Sequence, residues 1–178
     1  MSAILKWLLA TLVVAAVVHI ALVFAVPRYI MYRTMTGIAR NAGGFNVMTH
    51  GKRPTSASRG VVRPSPDLLY SSCIFDLRAA GGAVHVHASG MPKTYWSVSL
   101  FDAATNNFYV VNDRKAGSDG VDFLIVAPRH SAGGTKLPVV VAPTNRGIVL
   151  FRTLIDDDKR LAEIDAARRH AACEAFAL

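Results

Sequence analysis

Between Lys6 and Pro27 the chain reads WLLATLVVAAVVHIALVFAV, twenty residues whose only ionisable side chain is one histidine. At about 1.5 Å per residue, a helix of that length covers roughly 30 Å, the hydrocarbon thickness of a bilayer. This run predicts a transmembrane anchor over residues 1–30. Its ends agree, because Trp7 on one side and Tyr29 with Tyr32 on the other fall where amphipathic rings prefer the headgroup level. The competing reading is a cleaved signal peptide, whose apolar region usually runs only about 7 to 15 residues, and no convincing small-residue cleavage site precedes Pro27.

The net charge of +8 invites a nucleic-acid reading until it is placed along the chain. Eight basic and no acidic residues precede Pro64, and the remaining twelve basic residues face all twelve acidic ones. The basic excess therefore belongs to the anchor and to residues 31–60, a stem or connector that begins as a helical continuation and breaks at Gly43 and Gly44 into a Gly, Pro, Ser and Thr-rich stretch. Lys and Arg beside a membrane helix each gain roughly 1 kcal/mol at anionic headgroups, and Arg28, Arg33 and Arg40 are placed for such contact. No aromatic and basic interleaving of the kind that stacks bases is present, so membrane lipids and not nucleic acid are the expected partners.

Orientation is open on composition alone. Arg28, Arg33 and Arg40 outnumber Lys6 across the helix, which favours a cytoplasmic domain, but the charge rule weakens for translocated segments as long as this one. The two cysteines, Cys73 and Cys173, have no CxxC or zinc-ligand spacing. They could bridge in an exported domain or be two unrelated buried thiols, and both readings stand.

From Leu68 to Ile155, seven short apolar runs alternate with turn-forming stretches: LLYSSCIFDL, AVHVHAS, YWSVSLFDA, NFYVVND, VDFLIVAP, LPVVVAP and RGIVLFRTLI. Such spacing predicts an antiparallel β-sandwich over residues 61–178, and no helical period separates successive strands as a parallel α/β fold would require. Only DDDKRLAEIDAARRHAACEAF changes pattern. Acidic residues come early, Arg168, Arg169 and His170 late, and Leu161 with Ile164 share a side, which predicts a C-terminal helix of three to four turns.

With the strands placed, VVRPSPDLLYSSCIFDL, then YWSVSLFDAATNNFYVVNDR, DFLIVAP and APTNRGIVLFRTLIDD, resemble in order the bacterial family called domain of unknown function 1254, from about Gly43 to Ala172. That family's opening signature is an Asn-rich turn followed by Asp-Thr-Leu-Tyr. Asp67, Leu69 and Tyr70 match it, whereas Ser65 and Pro66 stand for the asparagines and Leu68 for the threonine. The resemblance implies a β-sandwich in exported or envelope-associated proteins, often encoded beside or fused to a second β domain, domain of unknown function 1214. It implies no established reaction. It favours a periplasmic domain on the inner membrane and is compatible with a Cys73–Cys173 disulfide, and the short anchored form resembles members from alphaproteobacteria.

Candidate chemistry is sparse. His85 and His87 share one face of a strand and could hold a metal, but no third ligand can be placed beside them, and a solvated strand face is the competing reading. His19 lies near the middle of the apolar run, and Thr11, Ala15 and His19, spaced by four, align small and polar groups as a helix-docking face. Tyr70, Tyr95 and Trp96, with the two histidines, could line a pocket between the sheets. Asp67, Asp76, Asp102, Asp113 and Asp119 border turns, where aspartate binds local backbone amides, and no two can be paired for acid and base work. Ser71, Ser72 and Ser97 lack a nucleophile elbow, and Gly81–Gly82 and Gly133–Gly134 are turn doublets. No catalytic residue and no cofactor is assigned. The expectation is a non-catalytic, single-pass accessory or scaffold subunit of an envelope protein complex, with a tethered small-ligand or metal-binding enzyme as the alternative.

Overall fold

The computed structural model describes residues 2–60, 63–117, 120–130 and 133–177. It opens with helix α1, Ala3–Ala42, in which the Ser2 hydroxyl accepts from the Leu5 amide at one end and Gly43 closes the other in the left-handed region at φ 82°. Pro27 lies inside the helix without ending it. Gly43 and Gly44 return their amides to the carbonyls of Arg40 and Ala39, so the chain stops where the glycine pair predicts.

Two faces of α1 behave differently. Every described side chain from Ser2 to Val26 is exposed, whereas Met31, Met35 and Ala39, one helical turn apart, are buried against Ile74 and Ile148 with Phe45, Phe101 and Leu150 around them. Burying each methionine is worth about 1.5–3 kcal/mol, enough to fix the last three turns of the helix on the sheet.

All seven sequence-expected runs are strands: β2 (Leu68–Asp76), β3 (Ala83–Ala88), β4 (Trp96–Asp102), β5 (Asn107–Asn112), β6 (Val121–Val126), β7 (Val139–Val141) and β8 (Arg146–Leu154). Two more flank them, β1 (Met48–His50) and β9 (Ala172–Phe176). One sheet has the order β1-β2-β8-β4-β5 and the other β7-β6-β3-β9. Every pair is antiparallel except β6 with β7, so the second sheet is mixed, contrary to the purely antiparallel expectation. The connection over residues 127–138 is, by its length, sufficient for β7 to run in the same direction as β6.

The two sheets share one core. Cys73, Phe75, Val98, Leu100, Val149 and Phe151 from the first meet Val84, Val86, Phe123 and Ile125 from the second. The alternation is the cause: in β3, Val84 and Val86 point inward and His85 and His87 outward, as the two-residue period requires. Gly147 lets β8 approach β4, since a Cβ there would lie 2.2 Å from the Phe101 carbonyl oxygen and 2.4 Å from the Phe75 ring.

Two expectations change. Residues 31–60 are not merely a stem: residues 31–42 complete α1 and dock, and Met48–His50 pairs as an edge strand with β2. The C-terminal helix is shorter than three to four turns. A 3₁₀ turn at Asp158–Arg160 leads into α3, Leu161–Arg168, and the chain then turns into β9. Helix propensity in AACEAF yields to pairing with β3 and to a disulfide between Cys173 and Cys73. The side of α3 expected to be apolar is so, Ile164 being fully buried beside Leu69, Ile155 and Leu161.

Candidate functional site

The most chemically pointed cluster lies on the outer face of the β7-β6-β3-β9 sheet. The rings of His85 and His87 are 4.7 Å apart between centroids. Antiparallel register sets Glu174 of β9 opposite His85 from one side and Asp122 of β6 opposite His87 from the other. Glu174 Oε1 is 3.5 Å from His87 Nε2 and 3.9 Å from His85 Nδ1, and His85 Nε2 is 2.6 Å from Asp122 Oδ1. The third group that sequence reasoning did not find is therefore Glu174. It sits in a strand read as helix, so nothing in the linear pattern set it opposite His85.

The imagined pocket joining both histidines to Tyr70, Tyr95 and Trp96 does not form. The histidines face away from the core on one sheet, whereas Trp96 is buried in that core and Tyr70 and Tyr95 belong to the other sheet side. Tyr70 accepts the Ser65 amide at its hydroxyl, an anchor for the turn before β2. Tyr95 and Trp96 do line a cleft of about 770 Å³ with Met91, Lys93 and Asp113, from which Tyr70 is absent.

A second cluster is buried. The guanidinium of Arg168, at the end of α3, is 1% exposed. It donates to the carbonyls of Tyr70 at 2.8 Å and Gly51 at 2.6 Å, to Ser71 Oγ at 3.0 Å, and to Asp165. His50 Nδ1 is 2.9 Å from Ser71 Oγ. Burial, followed by the positive charges of Arg168 and Arg169, lowers the His50 pKa, and Asp165 opposes the shift. This resembles a serine–histidine pair in composition, but Ser71 is 1% exposed on the inward face, so the arrangement ties β1, β2 and α3 together and offers no nucleophile to solvent. Beside it, Lys52, Arg53, Leu69, Lys159, Leu161 and Arg169 border an open cleft of about 510 Å³.

The aspartates behave as turn residues. Asp76 Oδ1 accepts from the amides of Arg78 and Ala79, and Oδ2 accepts from Arg146 Nε at 2.6 Å. Burial disfavours its ionisation, but those hydrogen bonds prevail and hold the carboxyl below its usual range. Asp102 likewise accepts from the amides of Ala104 and Asn106. Asp67 and Asp113 stand at the turn into β2 and the start of helix α2 (Asp113–Ala116), and Asp119 lies outside the described residues. Of the helix residues, Thr11, Ala15 and His19 are exposed along α1, as are Arg28, Arg33 and Arg40, with Arg28 donating to the Phe24 carbonyl at 2.8 Å.

Together these features define a class: a β-rich domain of two sheets over one core, preceded by one helix long and apolar enough to cross a membrane. The chain belongs to the DUF1254 family, described as protein of unknown function, whose profile matches residues 45–175. Among curated proteins none matches significantly. Two solved structures share the fold. The VPA0106 protein of Vibrio parahaemolyticus superposes with a TM-score of 0.67 at 15% identity, over 87% of this chain and 37% of its own. A putative uncharacterized protein of Burkholderia cenocepacia gives 0.50 at 16% identity, over 79% of this chain and 37% of its own. The chain thus spans little more than a third of the length of either relative.

Proposed function

We propose that the chain is a single-pass inner-membrane protein whose two sheets form a periplasmic β-sandwich, and that it serves as an accessory or scaffold subunit of an envelope protein complex. One observation carries this reading. The same unbroken helix leaves every side chain from Ala3 to Val26 exposed and then packs Met31, Met35 and Ala39 onto the sheet. These two dozen exposed residues, all apolar except Lys6, Thr11 and His19, span about 36 Å, too large an apolar surface for water and a suitable length for lipid. Because the last turns are docked, the bilayer segment is coupled rigidly to the body. A cleavable leader needs no such coupling.

The Cys73–Cys173 bond suits an oxidising compartment, which supports the periplasmic side. Within the membrane, Thr11, Ala15 and His19 form the stripe through which another transmembrane helix is recruited, small residues permitting close approach and His19 finding a polar partner. Arg28 and Arg33 serve the headgroups. Arg40 lies about 21 Å along the axis beyond Val26, past that layer for an upright helix. The fold relatives are more than twice as long, which supports completion of the body by a second envelope protein, one carrying domain of unknown function 1214 being the first candidate.

Alkaline carbonate extraction with intact-mass analysis tests the anchor. The protein should stay in the membrane pellet at a mass that includes residues 7–26. A soluble form shortened before Pro27 would refute the reading. A tethered small-ligand or metal-binding enzyme remains the second reading, favoured by the meeting of His85, His87 and Glu174.

A further inference from the structure

We propose that His85, His87 and Glu174 bind a divalent transition-metal ion of the zinc class on the outer face of the four-stranded sheet, with coordination positions left open to solvent. The inference stands whether or not α1 recruits a partner. Three ligand atoms, one from each residue, lie within 4.8 Å of one another. Around a tetrahedral ion with bonds of about 2.0–2.2 Å, neighbouring ligands sit roughly 3.4 Å apart. The two Glu174 distances, 3.5 and 3.9 Å, are already close to that value. The remaining separation, within 4.8 Å, is between the two imidazole nitrogens, and closing it needs about 1 Å of ring motion, available to His87, which is 37% exposed.

Asp122 supplies the feature that separates a ligand set from a chance gathering of charges. Its Oδ1 accepts from His85 Nε2 at 2.6 Å, so the ring carries its proton there and presents the Nδ1 lone pair toward Glu174. Metal-bound imidazoles characteristically give their second nitrogen to a carboxylate in this way, which orients the ring and raises its basicity. Two imidazoles and one carboxylate favour borderline ions such as Zn²⁺ or Cu²⁺ over Mg²⁺ and Ca²⁺, which require oxygen donors. Three protein ligands on a partly exposed face leave the ion exchangeable, unlike a closed structural site.

The third ligand depends on the disulfide. Among the described residues β9 is an edge strand paired with β3 alone, and Cys173, the neighbour of Glu174, is bonded across to Cys73 of the other sheet. Opening that bond frees β9 to leave its register and carry Glu174 away.

The test is calorimetric titration of untagged, oxidised full-length protein in detergent with Zn²⁺, and with Mg²⁺ and Ca²⁺ as comparisons. We expect one Zn²⁺ per chain, no binding of the two hard ions, loss of at least tenfold in affinity for H87A and for E174Q, and a similar loss for D122N. H130A, which removes an exposed histidine in the connection after β6, should bind as the parent does. C73A/C173A should bind at least tenfold more weakly, its far-ultraviolet dichroism showing whether the sheets persist. Absence of zinc binding, or zinc binding indifferent to H87A and E174Q, overturns the site. Parent-like affinity in folded C73A/C173A overturns the coupling to the disulfide.

Discussion

Arg168 donates to the backbone carbonyl of Tyr70 at 2.8 Å across ninety-eight positions of sequence, joining the end of α3 to the second strand. The same guanidinium reaches Gly51 after β1, so one side chain closes the junction of three elements. Its burial is tolerated because Asp165 and the carbonyls satisfy its donors.

Replacing Arg168 by alanine strands two carbonyls, Ser71 and a partly buried carboxylate, and should cost about 3 kcal/mol of unfolding free energy, measured by chemical denaturation. Arg168→Lys keeps the charge but loses the fork and should cost about half as much. A change below about 0.5 kcal/mol for alanine would mean that the junction is not holding the fold.

Acid should weaken the domain in two windows. Burial and the Arg168 and Arg169 charges lower the pKa of His50, so the unfolded chain takes up that proton first, and stability falls as pH drops below the ordinary imidazole value of about 6.5. At Asp76 and Asp165 burial opposes ionisation, but hydrogen bonds from Arg146 to the first, and from Arg169 and Arg168 to the second, leave both carboxyls lowered. Their contribution is fully present above about pH 3.9 and is lost as pH falls through the folded values. His50→Gln should flatten the upper window and Asp76→Asn should shrink the lower one. Equal slopes in parent and variants would contradict the assignment.

The disulfide closes a separation of 100 residues. C73S/C173S should lose about 2–5 kcal/mol, near the upper end by the chain-entropy argument. Non-reducing electrophoresis of the protein from membranes should show the faster, bridged form, and its absence would also weaken the periplasmic assignment.

Much of this architecture is legible in linear order. The seven internal strands follow from apolar runs cut by glycine, proline and asparagine turns, and the facing of His85 and His87 away from Val84 and Val86 follows from pleat geometry alone. What is not legible is long-range. Met48–His50 is three residues within a glycine- and proline-rich stretch and gains its strand character from Tyr70 to Cys73, notably through Thr49 donating to the Ser72 carbonyl at 2.9 Å. AACEAF carries helix formers, but pairing with β3 overrides them. Glu174 is invisible as a ligand for that reason, and the roles of His50 and Arg168 emerge only when β1, β2 and α3 meet.

The central claim, that α1 crosses the bilayer and recruits a partner through one face, meets its most direct test in native membranes. A small photo-reactive diazirine side chain is placed at Ala15 or at Val17, some 200° around the helix. Ala15 should give one dominant adduct containing a transmembrane peptide of another envelope protein, and Val17 should give lipid adducts alone. Equal protein yields from both positions, or none from Ala15, would contradict the account.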